Sequence, residues 1–187
     1  DDVESRGLGD VYKRQEQIPI SQADAKYKRY IGNGAPKHFL SWSNNLTWRN
    51  FDLSVFFRGT FGFDVFNMRK YGMGLQGCGT DNVLRSAYLE DKNIRTGGGV
   101  ISSYFLEDGS FIKLENVTLG YNFTPKNRKL LDNMRIYLSA KNLFTLTGYS
   151  GNDPSIIDVN GIQPGVDSNS AYPTATQLSL GVTLRFK

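Results

Sequence analysis

The sequence predicts an all-β chain: about five long antiparallel strands that form one section of a transmembrane β-barrel. Three observations carry this. From Phe39 onward the residues alternate with period 2, apolar on one side and polar or small on the other, the pattern of strands with two unlike faces. The connections run short, long, short, long, as in a meander whose tight turns lie on one side of a membrane and whose loops lie on the other. No apolar run approaches the roughly 18 residues of a membrane helix, so any crossing falls to strands.

Composition narrows the function classes. The chain has 187 residues, with 22 Lys and Arg against 18 Asp and Glu, and a net charge of +4 is too mild to imply nucleic acid. It carries 20 Gly, 12 Phe, 10 Tyr and 2 Trp yet is only 39% hydrophobic, which is unlike an aliphatic α/β core. One Cys excludes an intrachain disulfide framework, and one Cys with one His excludes a His/Cys zinc cluster.

The elements follow in order. Ser5-Arg6-Gly7-Leu8-Gly9-Asp10-Val11-Tyr12-Lys13-Arg14-Gln15 resembles a string found at the ends of reading frames translated from assembled environmental DNA. Residues 1–15 are therefore expected to be a non-native leader, and residues 16–187 the barrel section. Residues 16–36 are polar, with Ile31-Gly32-Asn33-Gly34-Ala35-Pro36 as the strongest breaker. In the first strand Trp42, Leu46 and Trp48 alternate with Ser41, Ser43, Asn45 and Thr47. A tight turn at Arg49-Asn50 leads to the second, where Phe51, Leu53, Val55 and Phe57 alternate with Asp52, Ser54, Phe56 and Arg58.

A long glycine-rich connection, about 67–109, precedes the third strand, where Val117, Leu119, Tyr121 and Phe123 alternate with Asn116, Thr118, Gly120 and Asn122. The next link is short. Thr124 as N-cap and Pro125 at the first helical position predict one helical turn through Leu130-Leu131. In the fourth strand Ile136, Leu138 and Ala140 alternate with Arg135, Tyr137, Ser139 and Lys141, and the pattern slips near Asn142. After a second long connection, 147–173, Leu178, Leu180, Val182, Leu184 and Phe186 oppose Gln177, Ser179, Gly181, Thr183 and Arg185.

Bilayer physics assigns the faces. Backbone amides in lipid must all be paired, so spanning strands belong to a closed barrel, and about five strands are only part of one. The polar face, with Arg58, Asn116, Thr118 and Arg185, is expected to look into the lumen, as are Asp64 and Lys141. Trp48, Phe51, Tyr121, Phe123 and Phe186 sit beside short turns or the last strand's end, where an aromatic girdle would mark the periplasmic rim.

Candidate sites are few, and the chain is not read as an enzyme. Glu107-Asp108 is an acidic pair in a predicted turn before Gly109, a structural feature rather than an acid–base pair. Asn152, Asp153, Asp158, Asn160 and Asp167 fit no calcium-loop spacing. Gly97-Gly98-Gly99 lacks the Lys-Ser/Thr of a phosphate loop. His38 and Cys78 stand alone, so neither metal nor cofactor is implied. Of the loop aromatics Tyr71, Tyr88, Tyr149 and Tyr172, the last two are the candidates for stacking on a substrate sugar ring.

From about Tyr30 onward the sequence resembles the C-terminal barrel portion of SusC/RagA-type TonB-linked outer-membrane proteins. The resemblance rests on Tyr30-Ile31-Gly32-Asn33 with Pro36, Asn50-Phe51-Asp52-Leu53-Ser54, the run from Phe105 to Tyr121, and the run from Arg135 to Thr145. Tyr149-Ser150-Gly151, Asp153-Pro154 and Tyr172-Pro173 complete it, in the family's order.

It implies a barrel of about 22 strands, with short periplasmic turns and long extracellular loops, in the outer membrane of a Gram-negative bacterium. Such proteins import glycans or peptides with a SusD-like surface lipoprotein. A TonB complex acts through an N-terminal plug that, with the TonB-contacting segment and signal peptide, lies outside this sequence. The implied partners are outer-membrane lipid, the substrate and the barrel-assembly machinery, which would read Leu180, Val182, Leu184 and Phe186 as an insertion signal. Two departures stand out: Lys187 follows the terminal aromatic, and Asp24 alone represents the family's Asp-rich loop. The competing reading is a soluble all-β carbohydrate-binding module.

Overall fold

A computed structural model describes residues 30–74, 82–85, 88, 101–125, 130–156, 164–168, 172 and 174–187. The chain divides into two units, Asp1–Tyr30 and Ile31–Lys187, and only Tyr30 of the first is described. The expected leader therefore lies outside the described residues, as do Asp24, Cys78, Gly97-Gly98-Gly99, Asp158 and Asn160.

In chain order the elements are β1 (His38–Trp48), β2 (Phe51–Phe61), β3 (Asp64–Asn67), α1 (Met68–Met73), β4 (Leu106–Asp108), β5 (Phe111–Phe123), β6 (Leu131–Thr147), β7 (Val166–Asp167) and β8 (Gln177–Phe186). The long strands β1, β2, β5, β6 and β8 pair in that order, each antiparallel to its neighbour. At 11, 11, 13, 17 and 10 residues they exceed the ~5–6 of an ordinary soluble strand. This is an open section of antiparallel wall, as the alternation predicts.

The register keeps like residues together. Leu46, Leu53, Leu119, Leu138 and Leu180 stand opposite one another across five strands, and Trp48, Phe51, Tyr121, Ile136 and Val182 form a parallel row. Between them run Thr47, Asp52 and Tyr137, whose side chains take the other face, with Gly120 and Gly181 in the same row. Arg49 closes the β1–β2 turn with a left-handed backbone (φ 55°), and the Asn122 N–H donates to the Asn50 carbonyl at 2.7 Å.

The slip near Asn142 is a β-bulge. Between the pairs Leu114–Phe144 and Asn116–Lys141, β5 passes one residue and β6 passes two. Asn142 takes the left-handed conformation (φ 52°) that absorbs the extra length. Lys141 thus stays on the polar side while Phe144 and Leu146 return to the apolar one. The expected helical turn after Pro125 falls on residues 126–129, outside the described set, and Leu131 is already in β6. Extended pairing of Leu131 with Phe186 displaces the predicted helical ending there.

The long connections are more than loops. β3 pairs antiparallel with β4 and parallel with β7, making a second small sheet at the long-connection end. Beside it Phe63, Val65, Phe111 and Tyr149 form a buried cluster, and Phe66, Tyr71 and Tyr104 pack on buried Phe105. Three chain segments converge there. Asn33 and Asp64 exchange hydrogen bonds, the Asp64 N–H to the Asn33 carbonyl and the Asn33 N–H to Asp64 Oδ2, both at 2.8 Å. Gly34 lies against Pro164 and Gly165 so closely that a Cβ would collide with backbone, and Gly165 has φ 79°. Asp64 therefore belongs to this small sheet and not to the polar face of the long strands, contrary to the expectation that it faces the lumen: Gly62 (φ 73°) breaks the run after β2.

Candidate functional site

The apolar face of the wall is open. Leu178, Leu180, Val182, Leu184 and Phe186 are 47–75% exposed, and Leu46, Leu119 and Leu138 lie in the same class. In water such a continuous face would be a severe liability, far beyond the patches that soluble monomers carry. Aromatic rows bound it. At the short-turn end Trp48 stacks near Phe51 (6.4 Å between centroids), and Phe51 meets Tyr121 at 4.8 Å. Toward the other end Trp42 meets Phe57 at 5.6 Å and Phe57 meets Phe144 at 6.4 Å. Trp42 and Trp48 lie six residues apart on β1, about 20 Å along a strand. Aromatic rows toward both ends of an apolar band are the arrangement that the headgroup levels of a membrane favour.

The opposite face is polar and internally paired. Arg135 reaches diagonally across Gly120 to Asp52, with Nη2 2.5 Å from Oδ2 and Nε 3.1 Å from Oδ1, and Asn122 donates to Oδ1 at 2.8 Å. A side chain at position 120 would occupy that crossing. The two charged side chains keep about a third of their exposure, so the pair contributes roughly the 0.2–1 kcal/mol of a solvated bridge, its bidentate geometry favouring the upper end. Further along, Thr118 Oγ1 donates to Ser139 Oγ (3.0 Å), which donates to Asn116 Oδ1 (3.3 Å). Arg58 Nε donates to Glu115 Oε2 at 3.2 Å. Arg58, Asn116 and Thr118 thus share one face; Arg185, paired in register with Asn133, lies on it too.

At the long-connection end a buried cation ties loop to wall. Lys113 of β5 is 3% exposed, and its ammonium donates to Asp153 (2.9 Å), Ser155 (3.0 Å) and Thr174 (3.0 Å). Those acceptors come from both limbs of the β6–β8 connection. Thr174 also donates to Asp153. Burial works to raise the Asp153 carboxyl, but hydrogen bonds from Ser155, Thr174 and Lys113 outweigh it and hold the group below the ordinary carboxylate range. A cavity of about 300 Å³ opens beside this cluster, toward Asn142, Phe144 and Thr176.

Glu107 lies in β4 as a connector. It accepts from the Ser150 backbone and hydroxyl (both 2.8 Å) and from Asn67 (3.4 Å), and pairs with Lys70 at 3.4 Å. Asp108 caps the turn into β5 through Ser110 (2.9 Å). Of the two tyrosines singled out for stacking, Tyr172 is 87% exposed and Tyr149 only 6%. The expectation that Tyr149 is exposed fails: its ring packs on Phe63, Val65 and Phe111, and its hydroxyl donates to Asp167 at 2.6 Å. Burial first, and the Asp167 carboxylate second, push its ionisation far up. Tyr71 is likewise packed on Phe105, whereas Tyr88 is exposed. Among the described residues no three His, Cys, Asp or Glu side chains converge as a metal site.

No protein-family model matches the chain. Individual proteins do. It is 28% identical over 188 residues to the TonB-dependent receptor P3 of Formosa agariphila, covering 89% of this chain and 18% of that protein. To the TonB-dependent receptor SusC of Bacteroides thetaiotaomicron it is 28% identical over 153 residues, 77% of this chain and 14% of SusC. The chain thus spans less than a fifth of the length of these curated relatives. Among solved structures, the RagAB peptide importer in its closed-closed state matches with a TM-score of 0.69 at 23% identity, over 89% of this chain and 19% of that one.

Proposed function

Since the chain is a section of the barrel of a SusC/RagA-type TonB-dependent receptor, we propose that it forms part of the wall of an outer-membrane transporter that takes up glycans or peptides. The observation that carries the reading is the two-faced sheet: five long strands with exposed leucines and aromatics on one side and a hydrogen-bonded polar network on the other. The apolar side meets outer-membrane lipid. The polar side, with Arg58, Asn116, Thr118 and Arg185, lines the lumen, and the packed long connections shape the extracellular mouth.

In this reading the chain's role is mechanical. A SusD-like lipoprotein covers the mouth, as SusC and RagAB among the similar proteins suggest, and a TonB complex supplies work through a plug. The barrel-assembly machinery reads β8, with Leu180, Val182, Leu184 and Phe186 as its apolar stripe. Tyr172 is the remaining stacking residue for substrate, and residues 1–15 contribute nothing. Expression of residues 16–187 tests the wall: the segment is expected to require detergent. A monodisperse soluble monomer would overturn the reading in favour of the carbohydrate-binding module. In a host carrying the full-length gene, deletion should abolish growth on one glycan or peptide mixture; unchanged growth on all of them would refute transport.

A further inference from the structure

The two ends of the wall differ in charge. At the short-turn end lie the connections Arg49-Asn50 and 124–130, with Lys187 after β8. Together they hold Arg49, Lys126, Arg128, Lys129 and Lys187 and no Asp or Glu. The second long connection, 148–176, is the reverse, with Asp153, Asp158 and Asp167 and no Lys or Arg. Pairing brings the flanks of the basic segments to one rim: the Asn50 carbonyl accepts from Asn122 at the end of β5, and the Leu130 carbonyl accepts from the Lys187 N–H at 3.4 Å.

Arg49 gives this charge a direction. Its guanidinium lies over the Trp48 ring, 5.2 Å from the centroid, and Trp48 is 67% exposed on the apolar face, in the row with Phe51 and Tyr121. The cation therefore sits on the membrane-facing side of the rim and not over the lumen. Stacking on a ring leaves the in-plane N–H donors of a guanidinium free, and Arg49 makes no ion pair among the described residues. Its backbone is left-handed (φ 55°), a conformation that Gly or Asn adopts at less cost, so the turn itself does not call for arginine. Strain kept at such a position points to a role for the side chain.

We propose that Arg49, seated on Trp48, binds the phosphate of an anionic phospholipid headgroup in the leaflet that meets the short turns. The inference rests on the barrel reading above, in which that rim is the periplasmic one. The indole takes the interfacial level, the guanidinium lies just beyond the apolar band, and its fork matches two phosphate oxygens. The other basic residues of the rim add an attraction for anionic lipid that falls away within a Debye length. With no basic residue of its own, the 148–176 connection offers such a headgroup no counterpart.

The experiment is lipid binding by the full-length receptor in detergent, read by native mass spectrometry, with phosphatidylglycerol, phosphatidylcholine and inorganic phosphate as probes. The wild type should retain phosphatidylglycerol in preference to phosphatidylcholine, and Arg49→Gln should lower that affinity about fivefold, the weight of one basic residue at an anionic surface. Equal retention by wild type and variant overturns the proposal. Displacement of the lipid by millimolar inorganic phosphate also overturns it, by showing a site for a free anion. Should Arg49→Gln not insert, a structure of the wild-type receptor in phosphatidylglycerol nanodiscs decides: a headgroup phosphate within hydrogen-bond distance of the guanidinium supports the site, and a guanidinium facing only water refutes it. A wild type that stays monodisperse without detergent overturns the barrel reading and the site together, whereas a detergent-requiring wild type matched by Arg49→Gln overturns the site alone.

Discussion

Replacing Asp153 by Asn tests the tie between loop and wall. Lys113 and Asp153 retain 3% and 8% side-chain exposure, so the substitution leaves a buried ammonium without its counter-charge. Removing one partner of a buried ion pair costs about 3–5 kcal/mol. Ser155 and Thr174 remain as acceptors, which reduces the expected loss to about 2–3 kcal/mol, since each such bond to a charged group is worth roughly 1.5–3 kcal/mol. At about 1.4 kcal/mol per factor of ten, local opening of the connection rises some 30- to 150-fold. Hydrogen exchange on the full-length receptor reads this directly: residues 149–155 and 174–176 should exchange faster, while 116–123 in β5 should not. Unchanged loop protection, or equal loss in β5, would refute the argument. Acid should act in the same direction. Because the folded Asp153 carboxyl is depressed, its contribution is complete above the unfolded value of about 4 and disappears as pH falls through the folded one. The connection therefore stays docked near neutrality and loosens only below the ordinary carboxylate range.

Other perturbations probe separate parts. Arg49→Gly relieves a left-handed backbone at the β1–β2 turn and should stabilise the hairpin by about 1 kcal/mol, read as a higher unfolding midpoint; a lower one would mean that the Arg49 guanidinium over Trp48 outweighs the strain. Spin labels at Leu180 and Val182 should report lipid, and those at Ser179 and Thr183 water; the reverse would invert the faces. Gly165→Ala combines a positive φ with a collision against Gly34. It should destabilise the small sheet by more than 1 kcal/mol, seen as proteolysis confined to the long connections. Tyr172→Ala should weaken substrate binding by the full-length receptor in titration calorimetry, and an unchanged affinity would remove that residue from the site.

The long strands were legible because a two-sided environment writes itself into every second residue. Leu178 to Phe186 repeat that choice five times, and even the failure at Asn142 marked a true irregularity. β3, β4 and β7 left no such trace. At two to four residues they are too short for a period, and their pairing depends on Gly34 meeting Gly165 across more than a hundred residues of chain. The Asp52–Arg135 bridge was half visible, since both residues fall on the polar parity. Yet nothing in sequence says which of several polar positions lie diagonal to one another. Tyr149 illustrates the opposite error. A tyrosine in a loop rich in Gly, Asn and Asp looks solvent-facing until its neighbours are known to fold back, and the glycine at 151 beneath its ring was the one local hint.

The parallel pairing of β3 with β7 also constrains the order in which the long-connection end can form. Phe66 and Asn67 pair in register with Val166 and Asp167, so the crown cannot set until the chain through β7 is in place. Neighbouring staves can be laid down pairwise, but the crown waits for a keystone that lies about a hundred residues further along the chain. Non-local closures of this kind are slow relative to hairpins. The folding chain should therefore pass through a stage with finished staves and an unset rim, open to proteolysis until β7 docks.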